Sequence, residues 1–266
     1  MGIVQGLTEF LPVSSSGHLV IVPHLLGWTD PFITSLAFSV ILHMGTLVAL
    51  LVYFWRDWLV IVPAGLAALR DRSLGDDPNR RLAWLLLVGT IPAVIAGPIL
   101  NDRLEAAVRT AEDVAIALVV GAAILWLADQ VGRRTDGFAR ITFPLAIGIG
   151  IAQAFALVPG LSRAGMSISA GLFGGLTREA AARFSFLLAT PVIAGAGIFE
   201  ARSLLTGQAG VAVQAGPLVV GMVAAAAAGL AAITLTLRFV RSRSYGVFVV
   251  ERIAIAALVL VVFLSR

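Results

Sequence analysis

The sequence predicts an all-α polytopic membrane protein, with six transmembrane helices plus two broken re-entrant helical hairpins in an inverted-topology repeat. Three observations carry that prediction. Hydrophobic residues make up 59% of the 266 and charged residues only 13%, about half the charged share of a soluble domain, and the mean hydropathy is +0.98. Uncharged apolar runs recur at the ~20-residue length that a helix needs to cross a bilayer. Two further apolar segments are interrupted by proline, glycine and serine, and such breaks are tolerated at membrane depth only where they are buried in protein or line a wet cavity.

The six candidate spans are Leu36–Trp55, Leu82–Leu100, Val114–Ala128, Phe184–Phe199, Pro217–Leu237 and Val247–Leu264. The interrupted segments are Met1–Leu26, holding Pro12 and Ser14-Ser15-Ser16-Gly17, and Ile141–Leu176, holding Pro159-Gly160 and Ser162-Arg163. Proline and glycine break the helix there and free backbone polar groups, so both segments read as hairpins that enter without crossing. Each hairpin is followed by three spans. Three is odd, so the second half must be inverted relative to the first. The chain thus reads as one integral membrane domain, residues 1–266, with repeats over about 1–132 and 141–266. Sparse matches support the repeat: Gln5 and Gln153 precede the prolines, Ser15 and Ser162 each follow three residues after, and Phe38-Ser39 and Phe184-Ser185 come later.

Every one of the 19 basic residues is arginine, and they sit in short loops between apolar runs rather than in a stripe. This is the pattern of topology signals, and it argues against nucleic acid as a partner despite the basic balance. Loops 56–81, 129–140 and 238–246 are the richer set, whereas Arg103, Arg109 and Arg202 are the few in the alternate loops. The richer set belongs in the cytoplasm, which places both chain ends outside and opens the first hairpin outward. There is no cysteine, which excludes disulfides and thiolate metal sites. No cleavable signal peptide is visible, and the chain begins abruptly inside a polar motif, which leaves the completeness of its N-terminus open.

Charge inside lipid is costly and usually has a task. Glu9 is the one charged residue between Met1 and Asp30, and Arg163 the one between Arg140 and Arg178. Each sits beside the break of its hairpin, so hairpins that meet would bring them together with the serines and His18. Arg163 offers a rigid fork of donors suited to phosphate. The Pro159-Gly160-Leu161-Ser162 turn can expose backbone N–H groups, a helix starting near Ser162 aims its positive end at an anion, and Gly160 and Gly165 count among the substrate-binding candidates. Ser14, Ser15 and Ser16 supply hydroxyls, and His18 can exchange a proton near neutral pH. Gln5 and Glu9 share a helix face and could hold a hard divalent cation, Mg²⁺ or Ca²⁺. Together these parts suit phosphoryl transfer. Plainer readings stand beside it: serines that recap a broken helix, a packing role for His18, and a purely structural Glu9–Arg163 ion pair. His43 reads as a helix–helix hydrogen bond, Glu179 and Arg183 as a surface pair, and Trp28, Trp55, Trp58 and Trp84 as interfacial belts.

The run Gln5-Gly6-Leu7-Thr8-Glu9-Phe10-Leu11-Pro12-Val13-Ser14-Ser15-Ser16-Gly17-His18-Leu19 resembles the first signature of bacterial undecaprenyl-diphosphate phosphatases of the bacitracin-resistance (BacA) type. Pro159-Gly160-Leu161-Ser162-Arg163-Ala164-Gly165 resembles the second, and Phe184-Ser185-Phe186-Leu187-Leu188 also fits. The resemblance implies an enzyme of the bacterial cytoplasmic membrane that removes the terminal phosphate of undecaprenyl diphosphate at the outer face, with a divalent cation. It implies interlocked inverted repeats with two re-entrant hairpins. By motif position, Glu9 is the essential carboxylate, and Gln5 stands where the pattern allows Glu or Gln. Ser15 and His18 lie at the reacting phosphate, and Ser162 and Arg163 bind the diphosphate. Ala164 departs from the usual second serine, and the family carries more helix before its first motif. The nucleophile is open between Ser15, His18 and an activated water. A polyprenyl-phosphate flippase is the alternative, needing phosphate binding but no phosphate release. An ion or sugar transporter and a purely structural membrane protein fit the polar residues less well. A homodimer is compatible with the sequence.

Overall fold

A computed structural model of the protein describes residues 1–107, 110–205 and 214–264. Eleven α-helices and one short 3-10 turn, Phe138–Arg140, account for nearly all of it, and among the described residues pairing of strand type is confined to one isolated bridge between Asp136 and Leu176.

The first interrupted segment folds as α1 (Gly2–Phe10) and α2 (Ser15–Leu26). Pro12 disfavours helical backbone at the residue before it, and Leu11 accordingly turns extended, at φ −74° and ψ 139°. Ser14 restarts the helix: its side chain accepts from the Gly17 N–H at 3.3 Å, from a backbone at φ 74° that a non-glycine residue rarely adopts. The second interrupted segment repeats the device. α7 (Phe143–Phe155) ends ahead of Pro159-Gly160, and α8 (Arg163–Phe173) begins at Ser162, whose φ is 69° and whose side chain accepts from the Gly165 N–H at 3.1 Å. The counterpart of Ser162 is therefore Ser14, not Ser15 as the spacing from the prolines suggests. Indeed Gln5 and Gln153, Ser14 and Ser162, and Gly17 and Gly165 are all separated by the same number of residues.

Five of the six apolar runs lie on one helix each, α5 (Pro78–Ala107), α6 (Ala111–Val131), α9 (Arg178–Leu205), α10 (Ala215–Val240) and α11 (Gly246–Leu264), and the first run forms α3 (Leu36–Tyr53) with its last residue, Trp55, beyond the helix end. By length and apolar content four stretches can cross a membrane, namely Pro78–Ile99, Glu112–Val131, Arg178–Ile198 and Ala215–Val240. A fifth candidate is α3 joined to α4 (Trp55–Asp71), which meet at a bend of 84°. Part of the loop expected over 56–81 is therefore helix. Arg103 and Arg202, expected in loops, fall within α5 and α9 toward their C-terminal ends, and Arg109 lies outside the described residues.

Packing interleaves the two halves. α1 lies mainly against α10, and α7 mainly against α5. Without a hydrophobic drive between helices in lipid, close approach depends on small residues. Gly2 of α1 abuts the Gly221 carbonyl of α10, and Gly150 of α7 abuts the Gly89 carbonyl of α5, so closely that a Cβ on either would collide. Gly2 and Gly150 are themselves a pair at that same spacing.

The arginine-rich connections gather at one end. Arg183 Nη2 meets Asp57 at 2.5 Å, Arg241 Nη2 meets Glu179 at 2.7 Å, and Arg81 donates to the carbonyls of Ala139 and Ile141. The expected Glu179–Arg183 pair is thus replaced by two contacts that tie different helices together. At this end Asp129, with a side chain 3% exposed, accepts from Arg178 at 2.6 Å and from the Tyr245 N–H at 3.1 Å.

Candidate functional site

The two helix breaks meet around one carboxylate. Glu9 is 4% exposed and receives donors from four helices. From α1 itself, Gln5 Nε2 donates to Oε2 at 2.9 Å, as residues four apart on a helix can. From the first turn of α2, Ser15 Oγ donates to Oε2 at 2.5 Å. From the first turn of α8, Arg163 Nη2 donates to Oε1 at 2.7 Å. From α3, His43 Nε2 reaches Oε2 at 3.3 Å. The sequence brings Glu9, Gln5, Ser15 and Arg163 together by motif, and the fold does the same.

Access is from the donor side. The Glu9 side chain is sealed at 3% exposure, whereas Arg163 and His43 keep 14% and 25%. Arg163 Nη1 is a buried donor with no hydrogen-bond partner among the described residues, and Gln5 Oε1 is a buried acceptor in the same position. One cation donor and one amide oxygen are therefore unspent beside the carboxylate. A cavity of about 660 Å³ lies elsewhere, lined by Gly2, Trp28, Phe38 and Pro217 among others and by neither Glu9 nor Arg163.

The other expected residues have different local duties. Ser14 caps α2, and its Oγ lies 3.3 Å from Ser16 Oγ. Ser162 caps α8. Gly160 takes φ 103° and packs so tightly on α6 that a Cβ would strike Ala117 and the Val114 carbonyl. The Gly165 N–H is spent on Ser162, and a Cβ there would strike the Arg252 guanidinium. His18 does not join the donors on Glu9. Its Nδ1 bonds the Ser14 carbonyl at 2.8 Å and its Nε2 meets Glu251 Oε1 at 3.0 Å. A carbonyl only accepts, so Nδ1 carries a proton, and the contact at Nε2 is made through a second proton that occupies that lone pair.

Sequence reasoning missed Glu251 and Arg252. His43 makes the helix–helix contact expected of it, but its partner is Glu9 of α1, which brings it to the site. Glu251 and Arg252 are the only charges in the last apolar run, and a buried arginine at membrane depth costs about 2.5–3.5 kcal/mol on insertion scales. That cost was a readable signal. Arg252 is 0% exposed and donates to the carbonyls of Pro12 and Leu161.

A divalent cation can be tested against these donors. Among the described residues no three His, Cys, Asp or Glu side chains converge as a metal site. Glu9 and the unpartnered Gln5 Oε1 nevertheless offer two hard oxygens on one helix face. That suits a Mg²⁺-type ion, which is commonly held by one or two carboxylates plus substrate phosphate oxygens.

Known proteins resemble the chain over its whole length. A protein of Desulforudis audaxviator named undecaprenyl-diphosphatase is 43% identical over 266 residues, covering 100% of this chain and 97% of the relative. Its namesakes from Thermomicrobium roseum and Rubrobacter xylanophilus are 44% and 45% identical, over 98% and 97% of this chain and 95% and 94% of their own lengths. The family model described as "Bacitracin resistance protein BacA" matches residues 1–258. With both signatures meeting at one buried carboxylate and this likeness end to end, the chain belongs to the bacitracin resistance protein BacA family.

Proposed function

We propose that this protein is a membrane-embedded phosphatase that hydrolyses undecaprenyl diphosphate to undecaprenyl phosphate and inorganic phosphate, recycling the carrier lipid of the cell wall. The observation that carries the reading is the convergence of Ser15 and Arg163 on Glu9 from opposite hairpins. A binding protein needs the arginine. It does not need a hydroxyl hydrogen-bonded at 2.5 Å to a carboxylate that can take its proton. This pairing favours the phosphatase over a flippase.

The chemistry follows from the donors. The free Arg163 Nη1, the α8 N-terminus and the Ser14 and Ser16 hydroxyls hold the phosphates and offset their charge. Ser15 Oγ, or a water in its place, attacks the terminal phosphorus in line while Glu9 accepts the proton. The new P–O bond forms as the bridging P–O bond breaks, and undecaprenyl phosphate leaves. A phosphoserine formed this way is released by water. With both ring nitrogens of His18 engaged, its reading shifts from nucleophile to a residue that joins Ser14 to Glu251 beside the site. Glu9 and Gln5 would hold the divalent cation together with substrate oxygens, and that ion would neutralise phosphate charge.

For topology we propose six spans and two re-entrant hairpins, with repeats over about 1–132 and 141–266. The interleaved packing of α1 on α10 and α7 on α5, with its paired glycine contacts, supports it. The arginine-rich end faces the cytoplasm, so the site opens outward from the cytoplasmic membrane. A reporter fused to the C-terminus should then appear outside, and a cytoplasmic result would overturn this orientation.

The decisive experiment is phosphate release from a C55 polyprenyl diphosphate by purified protein, with Mg²⁺ or Ca²⁺, then with chelator, beside Arg163→Ala. Metal-dependent release that the substitution abolishes supports the reading. No release from folded protein, with polyprenyl phosphate still bound, moves the assignment to a flippase.

A further inference from the structure

Arg252 is among the largest fully buried side chains of the described residues, and nothing in the two signature motifs calls for it. It sits on α11, far in sequence from both hairpins. Its Nε donates to the Pro12 carbonyl at 2.6 Å and its Nη2 to the Leu161 carbonyl at 3.2 Å. These carbonyls belong to the two helix breaks, where the interrupted ladder frees acceptors that would otherwise be left unsatisfied in the membrane. Glu9 and Ser15 lie three residues to either side of Pro12, and Ser162 and Arg163 directly follow Leu161. Two glycines make room for the guanidinium: a Cβ on Gly121 of α6 would strike Nη1, and one on Gly165 of α8 would strike Nη2.

We propose that Arg252 is a positioning residue. One guanidinium latches the backbones of both breaks and fixes the spacing of the Glu9–Ser15 half relative to the Ser162–Arg163 half. Arginine is required because a planar fork donates along two fixed directions, whereas an ammonium is a single point of charge. The Glu9–Arg163 contact joins the same halves through side chains alone; Arg252 holds their main chain. A misplacement of about 1 Å costs on the order of 10²-fold in rate, so the latch acts on turnover more than on capture of the diphosphate.

This inference rests on the phosphatase reading for its kinetic arm and is independent of it for its structural arm. Arg252→Lys is expected to lower kcat at least about tenfold with KM within about threefold, while melting in detergent shifts by only a few degrees. A kcat within twofold of wild type overturns the proposal. So does a loss that lies wholly in KM, or one that tracks a collapse of the melting temperature. The structural arm uses the absence of native cysteine: spin labels at Leu11→Cys and Val158→Cys report the separation of the breaks. Arg252→Met should broaden their distance distribution, and an unchanged distribution overturns the latch. If wild-type protein releases no phosphate, the phosphatase reading fails, while the labels still decide the latch.

Discussion

Removing Arg163 separates its two tasks. Arg163→Ala deletes the 2.7 Å donor to Glu9 and the unspent Nη1 together. Stripping one partner from a buried ion pair costs about 3–5 kcal/mol, and exposures of 14% and 3% leave little solvent to soften that. Glu9 retains Ser15, Gln5 and His43, so the lower end applies, about 3 kcal/mol. For catalysis, losing a donor aimed at developing charge costs about 2.7–4 kcal/mol, or 10²–10³-fold in kcat. The two effects part in a paired variant. Glu9→Gln with Arg163→Met removes both charges, so stability should recover most of what Arg163→Ala lost, while turnover stays at or below that of the single variant. The assay is phosphate release per folded protein beside thermal unfolding in detergent. Near-normal turnover in Arg163→Ala would refute the site, and a paired variant no more stable than the single one would refute the ion-pair account.

Three further outcomes test the other links. Ser15→Ala should reduce kcat by on the order of 10⁴ or more if Ser15 is the nucleophile, with no acid-stable phosphoenzyme trapped; a residual rate of a few per cent assigns attack to water. Gly150→Val places a branched side chain against the Gly89 carbonyl and should destabilise the fold by about 1–3 kcal/mol or more, read by unfolding, with turnover per folded molecule retained; wild-type stability would refute the α5–α7 contact. Asp129→Ala strips the acceptor from Arg178 and the Tyr245 N–H. It should cost about 3 kcal/mol, tempered because Arg178 is 23% exposed, and leave kcat unchanged; a large kcat loss would mean that the arginine-rich end couples to the site. Burial, and then the Asp129 carboxylate, pushes the Tyr245 phenol above its usual range, so it stays a neutral donor to the Arg178 carbonyl throughout this test.

Much of this was legible because membranes make polarity expensive. Glu9 and Arg163 stood out as lone charges in apolar segments, and Pro12 and Pro159-Gly160 marked the breaks that bring them together. The same rule applies to the last apolar run, where Glu251 and Arg252 are the lone charges. His43 was harder, since its meaning depends on α3 lying against α1, and no spacing within its own helix encodes that. Glu179 and Arg183 show the converse error. Their i,i+4 spacing permits a pair, yet each found a partner elsewhere, Arg241 at the end of α10 and Asp57 on α4. Local periodicity fixes what two residues can do, and tertiary packing decides between that and a better-placed charge.

The proposed repeat accounts for a single site through the positions its halves share and those they do not. Positions that shape the backbone are the same in both: Gly2 and Gly150 at the helix contacts, Ser14 and Ser162 at the caps, Gly17 and Gly165 beneath them. Positions that carry chemistry differ at the same spacing. Glu9 corresponds to Leu157 and Ser15 to Arg163, so the first half supplies the anion and the hydroxyl and the second supplies the cation. Two copies of Glu9 would repel across the midline, and two copies of Arg163 would leave no base. Opposite signs, one ahead of its break and one after, attract where the segments meet, and they leave a proton acceptor, a hydroxyl and a phosphate-binding cation around one point. On the proposed repeat, the difference at these two positions places base and cation at one centre, not at two.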